Sequence, residues 1–409
     1  MVKEGYKKTE VGVIPEDWDV STMDALTSIM TNGFVGTIKS EYVPSGTGVL
    51  YLQGFNIKEN GFDLTGVTYV SKTFHNRHQK SELKENDLLT VQTGDIGVTT
   101  YLPKKFEGAN CQALIISRFY DKFDSRFWSY YFNSTGRKSL KLIETGTTMK
   151  HINVGDMKGV LVPVPCTKIE QTNIARALSD VDSMISSLEK LITKKKSVKQ
   201  GAMQELLTGK KRLPGFTGVW EMRMFRDICF INAPMVDPTK KEYEYLPHIG
   251  NESIEKGNGR ISHYNIVKED NLISGKYYFS HTDVLYGKIN PQFAKAAYPQ
   301  FNGLCSADMY PISCGESLSP TYLLYILLSE DFTKYTVSLS NRSGIPKVNR
   351  EELAEYSLKL PSPKEQAAIA SILSDMDNEL EALEQKLEKT RQVKQGMMQQ
   401  LLTGKIRLV

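Results

Sequence analysis

The segment VKQGAMQELLTGK at residues 198–210 returns as VKQGMMQQLLTGK at residues 393–405, and this duplication decides the fold. The copies are separated by a constant 195 residues, and 24 of the 44 positions aligned from Glu170 to Leu213 are identical. Similarity at a fixed period indicates that one structural unit is built more than once. The chain therefore contains two units in tandem, each ending in the same constant block.

The repeat extends upstream at lower similarity. Residues 153–165 align with residues 349–361 at an offset of 196, and Trp18 has a counterpart in Trp220. Between the constant blocks lie two variable blocks, about 19–150 and 221–345, which share little sequence. We predict four segments: a first globular domain at 1–165, a first long helix at 166–209, a linker with a second globular domain at 210–361, and a second long helix with its tail at 362–409.

Both constant blocks are predicted to be long helices with recognisable ends. A hydroxyl side chain at the N-cap and a carboxylate three residues later are typical of a capping box, as in Thr167 with Glu170 and Ser362 with Glu365. Pro363 falls at the first helical position, which tolerates proline, and Gly209 and Gly404 suit the residue after a helix end. About 40 residues between these signals predict a rod of roughly 60 Å.

Apolar residues recur at spacing 4-3-4-3-4 in both helices, which is a coiled-coil pattern. The predicted seam is Ile174, Leu178, Val181, Ile185, Leu188 and Ile192 in the first helix, and Ile369, Leu373, Met376, Leu380, Leu383 and Leu387 in the second. We predict that the helices pair antiparallel about a pseudo-two-fold axis, as a spacer between the variable blocks. The alternative is that each helix packs on its own domain.

Two further features of the helices leave alternatives open. Gly201 and Gly396 interrupt good helical sequence at a cost of about 1 kcal/mol each relative to alanine. They indicate a close approach, made either by the two helices or by another protein. The run Lys194–Lys196 is interpreted as solvated helix surface, with a DNA contact as the alternative.

The variable blocks carry short strand-like runs broken by Gly, Asn, Asp and Pro, such as residues 49–52, 87–91 and 283–286. Short helices are predicted at 126–133 and 320–328. The predicted fold class is α+β, with a twisted sheet in each globular domain.

Polar loops of the variable blocks carry side chains suited to DNA. Arg and Lys match guanine, Asn and Gln match adenine, and glycine lets backbone N–H groups approach phosphate. The candidate DNA-binding residues are Gln92, Thr93, Lys150, His151 and Asn153 in the first block, and Lys288, Asn290, Arg342, Ser343, Lys347 and Asn349 in the second. Polar loops are usually only solvated, so these assignments are hypotheses about individual residues.

Composition narrows the protein class. A net charge of +4 over 409 residues does not by itself indicate nucleic-acid binding. Five cysteines without a CxxC pair favour free thiols in a reducing cytosol over disulfides or zinc. Because no 18-residue apolar run and no signal peptide are found, we predict a cytoplasmic protein.

Catalytic signatures are missing from the sequence, and we predict no catalytic and no metal-binding residues. Residues 290–293, Asn-Pro-Gln-Phe, resemble an amino-methyltransferase motif but lack its second proline and a preceding glycine-rich loop. Residues 208–210, Thr-Gly-Lys, lack the upstream glycine of a phosphate-binding loop. We therefore interpret both as structural fragments.

Several of these motifs together resemble the specificity subunits of type I restriction–modification systems. They are EVGVIPEDW at 10–18, the duplicated KQG and LLTGK segments, NDLL and TGDIG within 86–97, and DVLYGKINP at 283–291. The resemblance spans essentially the whole chain, and the duplicated helix motif is highly specific. Gln292 departs from the family pattern, which often has an aromatic or ring residue there.

The resemblance implies a prokaryotic, non-catalytic DNA-binding subunit. Its globular domains would be target-recognition domains, each reading one half of a bipartite asymmetric site in double-stranded DNA. Its helices would set the gap between the halves and dock two modification subunits that methylate adenine, and restriction subunits would join for translocation and cleavage. S-adenosylmethionine, ATP and Mg would be bound by those partners rather than by this chain.

Two other functions remain as alternatives. A fused methyltransferase–specificity protein would need several hundred more residues with cofactor motifs. A structural coiled-coil adaptor would not retain DNA even with modification subunits present.

Overall fold

The computed structural model of the protein describes residues 3–146, 150–340 and 345–409. The chain forms two compact units. The first unit comprises Met1–Leu188 and Lys386–Val409, and the second comprises Glu189–Gln385. Each compact unit thus contains one variable block together with part of both long helices, so the units cut across the boundaries of the sequence repeat.

The helices of the described chain include two that are far longer than the rest. They are α1 (Met23–Leu26), α2 (Lys72–Arg77), α3 (Ser125–Phe132), α4 (Arg137–Leu142), α5 (Val154–Lys158), α6 (Lys168–Leu206), α7 (Phe225–Ile228), α8 (Pro320–Leu328), α9 (Glu330–Leu339), α10 (Arg350–Ala354) and α11 (Pro363–Leu401). Short 3₁₀ segments lie at Lys39–Glu41, Gly54–Asn56, Gln79–Ser81, Lys104–Phe106, Lys241–Tyr243 and Pro291–Phe293.

The strands are short, as the broken apolar runs predict. In the first unit they are β1 (Tyr6–Thr9), β2 (Gly12–Pro15), β3 (Asp19–Thr22), β4 (Thr27–Asn32), β5 (Tyr42–Val43), β6 (Val49–Leu52), β7 (Ile57–Lys58), β8 (Gly61–Phe62), β9 (Thr68–Val70), β10 (Leu88–Val91), β11 (Thr99–Tyr101), β12 (Asn110–Cys111), β13 (Leu114–Phe119) and β14 (Leu161–Val164). In the second unit they are β15 (Glu221–Met224), β16 (Cys229–Phe230), β17 (Met235–Val236), β18 (Pro247–Ile249), β19 (Asn265–Ile266), β20 (Lys276–Phe279), β21 (Val284–Gly287), β22 (Ala296–Ala297), β23 (Gly303–Cys305), β24 (Met309–Cys314) and β25 (Ser357–Leu360).

The two variable blocks share a topology although they share little sequence. Each contains an antiparallel four-stranded sheet, ordered β11-β10-β13-β4 in the first unit and β22-β21-β24-β16 in the second. Each also contains a second sheet with one parallel pair, β6 with β12 and β18 with β23. The predicted α+β class and tandem repeat are confirmed.

The long helices have the predicted length of about 40 residues, since α6 and α11 each contain 39. Only one half of each predicted capping box forms, namely the bond to the N-cap hydroxyl. The backbone N–H of Glu170 donates to Thr167 Oγ1 at 3.1 Å, and that of Glu365 donates to Ser362 Oγ at 3.4 Å. The carboxylates of Glu170 and Glu365 are buried and bind distant side chains instead of capping their own helix.

In the first unit, the beginning of α6 lies antiparallel to the end of α11. Lys394 Nζ is 2.6 Å from Asp182 Oδ1, and near the other end of this pairing Asn173 donates to the backbone oxygen of Leu408 at 3.0 Å. Ile174 and Leu178 are fully buried with Leu402 in a core that also contains Trp18 and Phe127. The helix start therefore packs both on its own globular domain and on the other helix.

In the second unit, the end of α6 lies antiparallel to the beginning of α11. Lys195 Nζ is 2.7 Å from Glu379 Oε1 and Lys196 Nζ is 2.8 Å from Glu384 Oε1. Lys199 forms an ion pair with Asp377. Two of the lysines in the 194–196 run therefore bridge the helices, a role that neither of the two sequence interpretations included.

All twelve predicted seam positions are at least half-buried. Leu188, Ile192, Leu380 and Leu387 are 5–9% exposed in the middle of the helices, and Val181, Ile185, Met376 and Leu383 are half-buried. In the second unit Ile369 and Leu373 join a core with Met203, Leu206 and Leu207. Buried seam positions alternate with exposed positions along both helices, so the polar faces lie toward solvent, as an amphipathic helix pair requires.

A three-residue cluster fixes the register of the helices in each unit. In the first unit the hydroxyl of Tyr130 donates to Asp182 Oδ2 at 2.8 Å, and Asp182 pairs with Lys394. In the second unit Tyr325 donates to Asp377 Oδ2 at 2.9 Å, and Asp377 pairs with Lys199. The two clusters are related by the 195-residue repeat, so the same contact is made twice.

A buried carboxylate clasp joins the beginning of one helix to the tail of the other in each unit. Trp18 Nε1 donates to Glu170 Oε2 at 3.1 Å, and Arg407 Nη2 donates to the same oxygen at 2.9 Å. In the second unit Glu365 accepts from Trp220 Nε1 at 3.0 Å and from Arg212 at 2.6 and 2.8 Å. Hydrogen bonding to Glu170 raises the pKa of Arg407 above its usual value.

We predict that Arg407→Leu lowers the free energy of unfolding by about 3 kcal/mol or more, because it leaves the fully buried Glu170 without its cation. Arg223→Leu is the matched control, since the pair of Arg223 with Glu221 is exposed and such pairs contribute less than about 1 kcal/mol. Urea unfolding midpoints measure both. Equal losses in the two variants would contradict the role of the clasp.

Candidate nucleic-acid interface

In the first unit the structure brings the two predicted DNA-binding segments together. The backbone N–H of Ile152 donates to the oxygen of Gln92 at 3.2 Å, and Thr145 pairs with His151 in a short antiparallel bridge. Thr93, Gly94 and Asp95 continue from this junction as a partly exposed loop. The segments around Gln92 and His151 therefore form one polar surface.

In the second unit the corresponding segments meet in the same way. The backbone N–H of Val348 donates to the backbone oxygen of Lys288 at 3.0 Å. The backbone N–H of Asn290 donates to the backbone oxygen of Pro346 at 2.8 Å. Ile289 and Lys347 form an antiparallel bridge. Since Gln92 and Ile152 correspond to Lys288 and Val348 at an offset of 196, the repeat positions equivalent loops in both units.

The predicted residues differ in how far their side chains are engaged. Thr93, Lys150, Asn153 and Lys347 are at least partly exposed, and Lys150 lies 3.5 Å from Glu144. Asn153 donates to Thr145 and Asp156 at 3.3 and 3.2 Å. His151 is half-buried. Arg342 and Ser343 lie outside the described residues.

Three predicted DNA contacts have structural roles in this conformation. Gln92 is only 9% exposed. Lys288 Nζ donates to the backbone oxygen of Ala307 at 2.7 Å and lies over the ring of Tyr310. Asn349 caps α10, with Glu352 accepting from its backbone N–H at 2.8 Å. The Lys288 contact joins segments 19 residues apart and leaves no local signal, whereas the spacing of Asn349 and Glu352 is a capping-box signature that the sequence does contain.

The residues at 290–293 form a tight turn. Asn290 has a left-handed φ of 52° and Ala294 a φ of 43°, on either side of the short 3₁₀ segment. Pro291 is buried, and Lys256 lies 3.9 Å over the ring of Phe293. Gln292 is exposed and its amide nitrogen is 3.5 Å from Asn290 Oδ1. These contacts support the interpretation of the segment as a structural fragment that exposes Gln292 and leaves Asn290 half-buried.

The acidic residues that precede β10 and β21 are turn residues. Asp87 accepts from the backbone N–H of Lys84 at 2.7 Å and is held by two 2.7 Å bonds from Arg118. Asp283 accepts from the N–H of Ser280 at 2.8 Å and from the hydroxyl of Ser313 at 2.7 Å. Bonding to Asp87 raises the pKa of the Arg118 guanidinium. Within the described ranges no group of three or more His, Cys, Asp and Glu side chains is arranged to hold a metal ion.

Sequence reasoning missed a hollow beside the predicted loop of the first unit. It has a volume of about 460 Å³ and is lined by Phe55 and Gln112 together with Thr93 and Asp95. Phe55 is 50% exposed, so its ring offers an apolar surface at the rim of the hollow. The parallel pairing of β6 with β12 brings these residues together, and a parallel pair between segments 60 residues apart leaves no local sequence signal.

Comparison with known proteins accounts for this architecture. The family described as "Type I restriction modification DNA specificity domain" matches residues 15–200 and 218–391. The chain belongs to this family. The two matches coincide with the two copies of the repeat, so the family domain occurs twice.

Curated relatives are named specificity subunits of type I restriction enzymes. The type I restriction enzyme EcoDI specificity subunit of Escherichia coli is 27% identical over 255 residues, which is 55% of this chain and 56% of that protein. The MjaVIII specificity subunit of Methanocaldococcus jannaschii is 24% identical over 99% of this chain and 97% of its own length. The chain thus spans about half of the E. coli relative and nearly all of the archaeal one.

Solved structures show the same fold. A type I restriction–modification S subunit from M. genitalium superposes with a TM-score of 0.60 at 16% identity, covering 94% of this chain and 96% of that one. A chain from a study of complex assembly in the type I R-M system gives a TM-score of 0.54 at 13% identity, covering 96% of this chain and 99% of that one. The predicted specificity-subunit fold is confirmed.

Family membership also confirms the class of function predicted from the sequence. The matching domain is a DNA-recognition domain, and the relatives are named specificity subunits, which are non-catalytic components of their enzymes. Among the helices that the structure describes, none has the length and apolar character needed to cross a membrane.

Proposed function

We propose that this protein reads a bipartite, asymmetric sequence in double-stranded DNA, one half with each variable block, as part of a type I restriction–modification complex. The observation that carries the proposal is the contrast between the two units. They share helix clasps, register clusters and sheet topology, yet the loops at equivalent positions carry different side chains, such as Gln92 against Lys288. Equivalent scaffolds with unlike loops suit a target with two unlike halves.

On this proposal the target-recognition domains are residues 1–165 and 210–361, and the helices at 166–209 and 362–409 belong to the spacer. The proposed DNA contacts are the exposed loop residues Lys150, Asn153 and Lys347 with the half-buried Thr93 and Asn290. Gln92, His151, Lys288 and Asn349 position these loops. Contacts to phosphate fix the position of a protein on DNA, whereas contacts to base edges supply specificity.

We further propose two modification subunits and additional restriction subunits as partners, which bind S-adenosylmethionine, ATP and Mg. Each unit has a groove beside the repeated helix segment, of about 880 Å³ in the first unit and about 440 Å³ in the second. The repeated segment lines both grooves with equivalent residues, namely Met398, Gln399, Leu402 and Thr403 in one and Met203, Gln204, Leu207 and Thr208 in the other. Two equivalent surfaces suit two copies of one partner.

The repeated glycines support the same surface. A Cβ atom at Gly201 or Gly396 would meet no described atom within 4 Å, so the helices of this chain do not cross closely there. Both positions are exposed, and Val198 and Val393, one turn earlier, are each 50% exposed. Of the two sequence interpretations, a close approach by another protein is therefore the one that we propose.

We predict that Gly201→Ala and Gly396→Ala each raise the free energy of unfolding by up to about 1 kcal/mol, yet weaken assembly with the modification subunits. Gly209→Ala is the control for stability, because Gly209 has a φ of +70° and faces the ring of Trp220, so this change should destabilise the chain. Urea unfolding and analytical ultracentrifugation of the mixed subunits measure the two effects. If Gly201→Ala and Gly396→Ala both assemble as well as the wild type does, these two glycines are not part of the proposed interface.

We predict that replacing residues 19–150 with the corresponding block of another family member changes one half of the recognised site and leaves the other half intact. The reason is that both four-stranded sheets of the first unit and its Gln92–Asp95 loop are built from this block. Genome-wide mapping of adenine methylation in cells that carry the hybrid and its modification subunits gives the site. A change in both halves would contradict independent reading by the two blocks.

We also predict that removing matched heptads from α6 and α11 shortens the gap between the half-sites, whereas removing one heptad from a single helix disrupts the pairing. A single deletion misaligns register contacts such as Lys394 with Asp182, while matched deletions preserve them. Methylation mapping reads the gap, and circular dichroism reports the helices. A gap that is unchanged in a folded double deletion would show that helix length does not set it.

The wild-type chain itself provides the test of the overall function. Mixed with modification subunits and labelled S-adenosylmethionine, it should direct methylation to one DNA sequence, and without them it should transfer no methyl groups. Turnover by the chain alone would indicate the fused methyltransferase, and absence of DNA retention with the subunits present would indicate the structural adaptor.

A further inference from the structure

The hollow of the first unit lies where two parallel strands end. Asn110 in β12 pairs with Tyr51 in β6, and Cys111 pairs with Leu52. Because the strands are parallel, the two segments that follow them leave the sheet at the same edge. Gln53 follows β6, and Gln112 follows β12. The Gln92–Asp95 loop forms the opposite wall through Thr93 and Asp95.

The two glutamines at this edge are engaged differently. Gln53 donates from Nε2 to the hydroxyls of Tyr42 and Thr68 at 3.1 and 3.3 Å, which uses both of its amide hydrogens. Gln112 donates once, to the backbone oxygen of Gly36 at 2.7 Å. That bond fixes the amide group while one N–H and the side-chain oxygen remain available. Gln53 therefore braces the hollow, and Gln112 can bind a ligand.

The rim is held in a definite shape. A Cβ atom at Gly54 would lie 3.3 Å from Val91 and 3.5 Å from the oxygen of Thr93, so the Phe55 segment is packed closely on the opposite loop. Ala113 has a left-handed φ of 55°, which for a residue with a side chain is a strained conformation. Strain of this kind persists where the surrounding structure enforces it, typically at ligand sites.

The chemistry of the lining suits an A·T pair in the major groove. A glutamine amide supplies one donor and one acceptor, which match N7 and the N6 amino group of adenine, whereas guanine presents two acceptors there. Aromatic and aliphatic carbons contact the thymine methyl group. Lys and Arg, which match guanine and phosphate, do not line the described hollow, and the carboxylate of the exposed Asp95 disfavours phosphate.

We propose that this hollow is the base-reading site of the first unit and contacts the major-groove edge of an A·T pair. Gln112 would form hydrogen bonds with adenine, and Phe55 would contact the thymine methyl group. The proposal rests on the proposed DNA-reading function and names two specificity-determining residues within it. In the second unit β18 and β23 are followed by Gly250 and Ser306, and the Glu252 side chain occupies the space where a Cβ of residue 250 would lie. The second unit therefore has no glutamine at either of these positions.

The test uses base analogues in the mapped site, bound by the complex of this chain with its modification subunits. Replacing one adenine of the first unit's half-site with 7-deazaadenine removes the N7 acceptor and should weaken wild-type binding about 5- to 100-fold, the range expected when a buried N–H donor is left without its acceptor. The same replacement should have no effect on Gln112→Ala. Replacing thymine with uracil, which lacks the methyl group, should weaken binding by the wild type but not by Phe55→Ala.

Ser306→Ala, at the equivalent position in the second unit, is the matched control and should keep full sensitivity to both analogues. Thermal unfolding checks that each variant is folded, and the analogue scan on the wild-type chain needs no variant. If no adenine in either half-site is sensitive to 7-deazaadenine, or if Gln112→Ala is as sensitive as the wild type, the base-reading site is overturned while the proposed function stands. If the wild-type complex prefers no sequence, the proposed function itself fails.

Discussion

A buried carboxylate at the beginning of each long helix constrains the rest of the structure. Glu170 and Glu365 are 0% and 2% exposed, and a charge so deeply buried is tolerated only when it is paired and hydrogen-bonded. Each finds its partners in a tryptophan that directly precedes the variable block and an arginine that follows the end of the other helix. One side chain therefore ties domain, helix start and helix tail together, and it can do so only if the helix segments run antiparallel.

The clasp explains how one scaffold carries two unlike surfaces. The clasps and the paired helix segments lie in the constant blocks or next to them. The register clusters take one tyrosine from a helix of each variable block, Tyr130 or Tyr325, so none of this support depends on what the variable loops contain. The variable blocks keep the strand order that supports their loops and change the side chains at the loop positions. This separation of support from recognition lets loop sequences diverge without loss of the core.

The repeat made the architecture predictable, whereas the site depended on contacts that no local pattern encodes. The apolar periodicity predicted the long helices and their seam, and the capping signals predicted their ends, because both patterns depend on residues only a few positions apart. The role of Lys288 was missed because a lysine that bonds Ala307 looks the same in sequence as an exposed lysine. The cap by Asn349 was missed although its spacing to Glu352 is a local capping-box signature. Gln112 escaped notice because its neighbour Gln53 is distant in the chain.

The polar contacts between the helices supply what the apolar seam lacks. A heptad seam repeats every seven residues, so a shift by one heptad still pairs apolar with apolar side chains. Such a shift would separate Asp182 from Lys394 and Asp377 from Lys199, and would leave the buried Lys199 and three half-buried charged groups without their partners. Since Tyr130 and Tyr325 bind the same aspartates, the globular domains are bound to that register as well. The ion pairs therefore select one alignment from several that hydrophobic burial alone would allow.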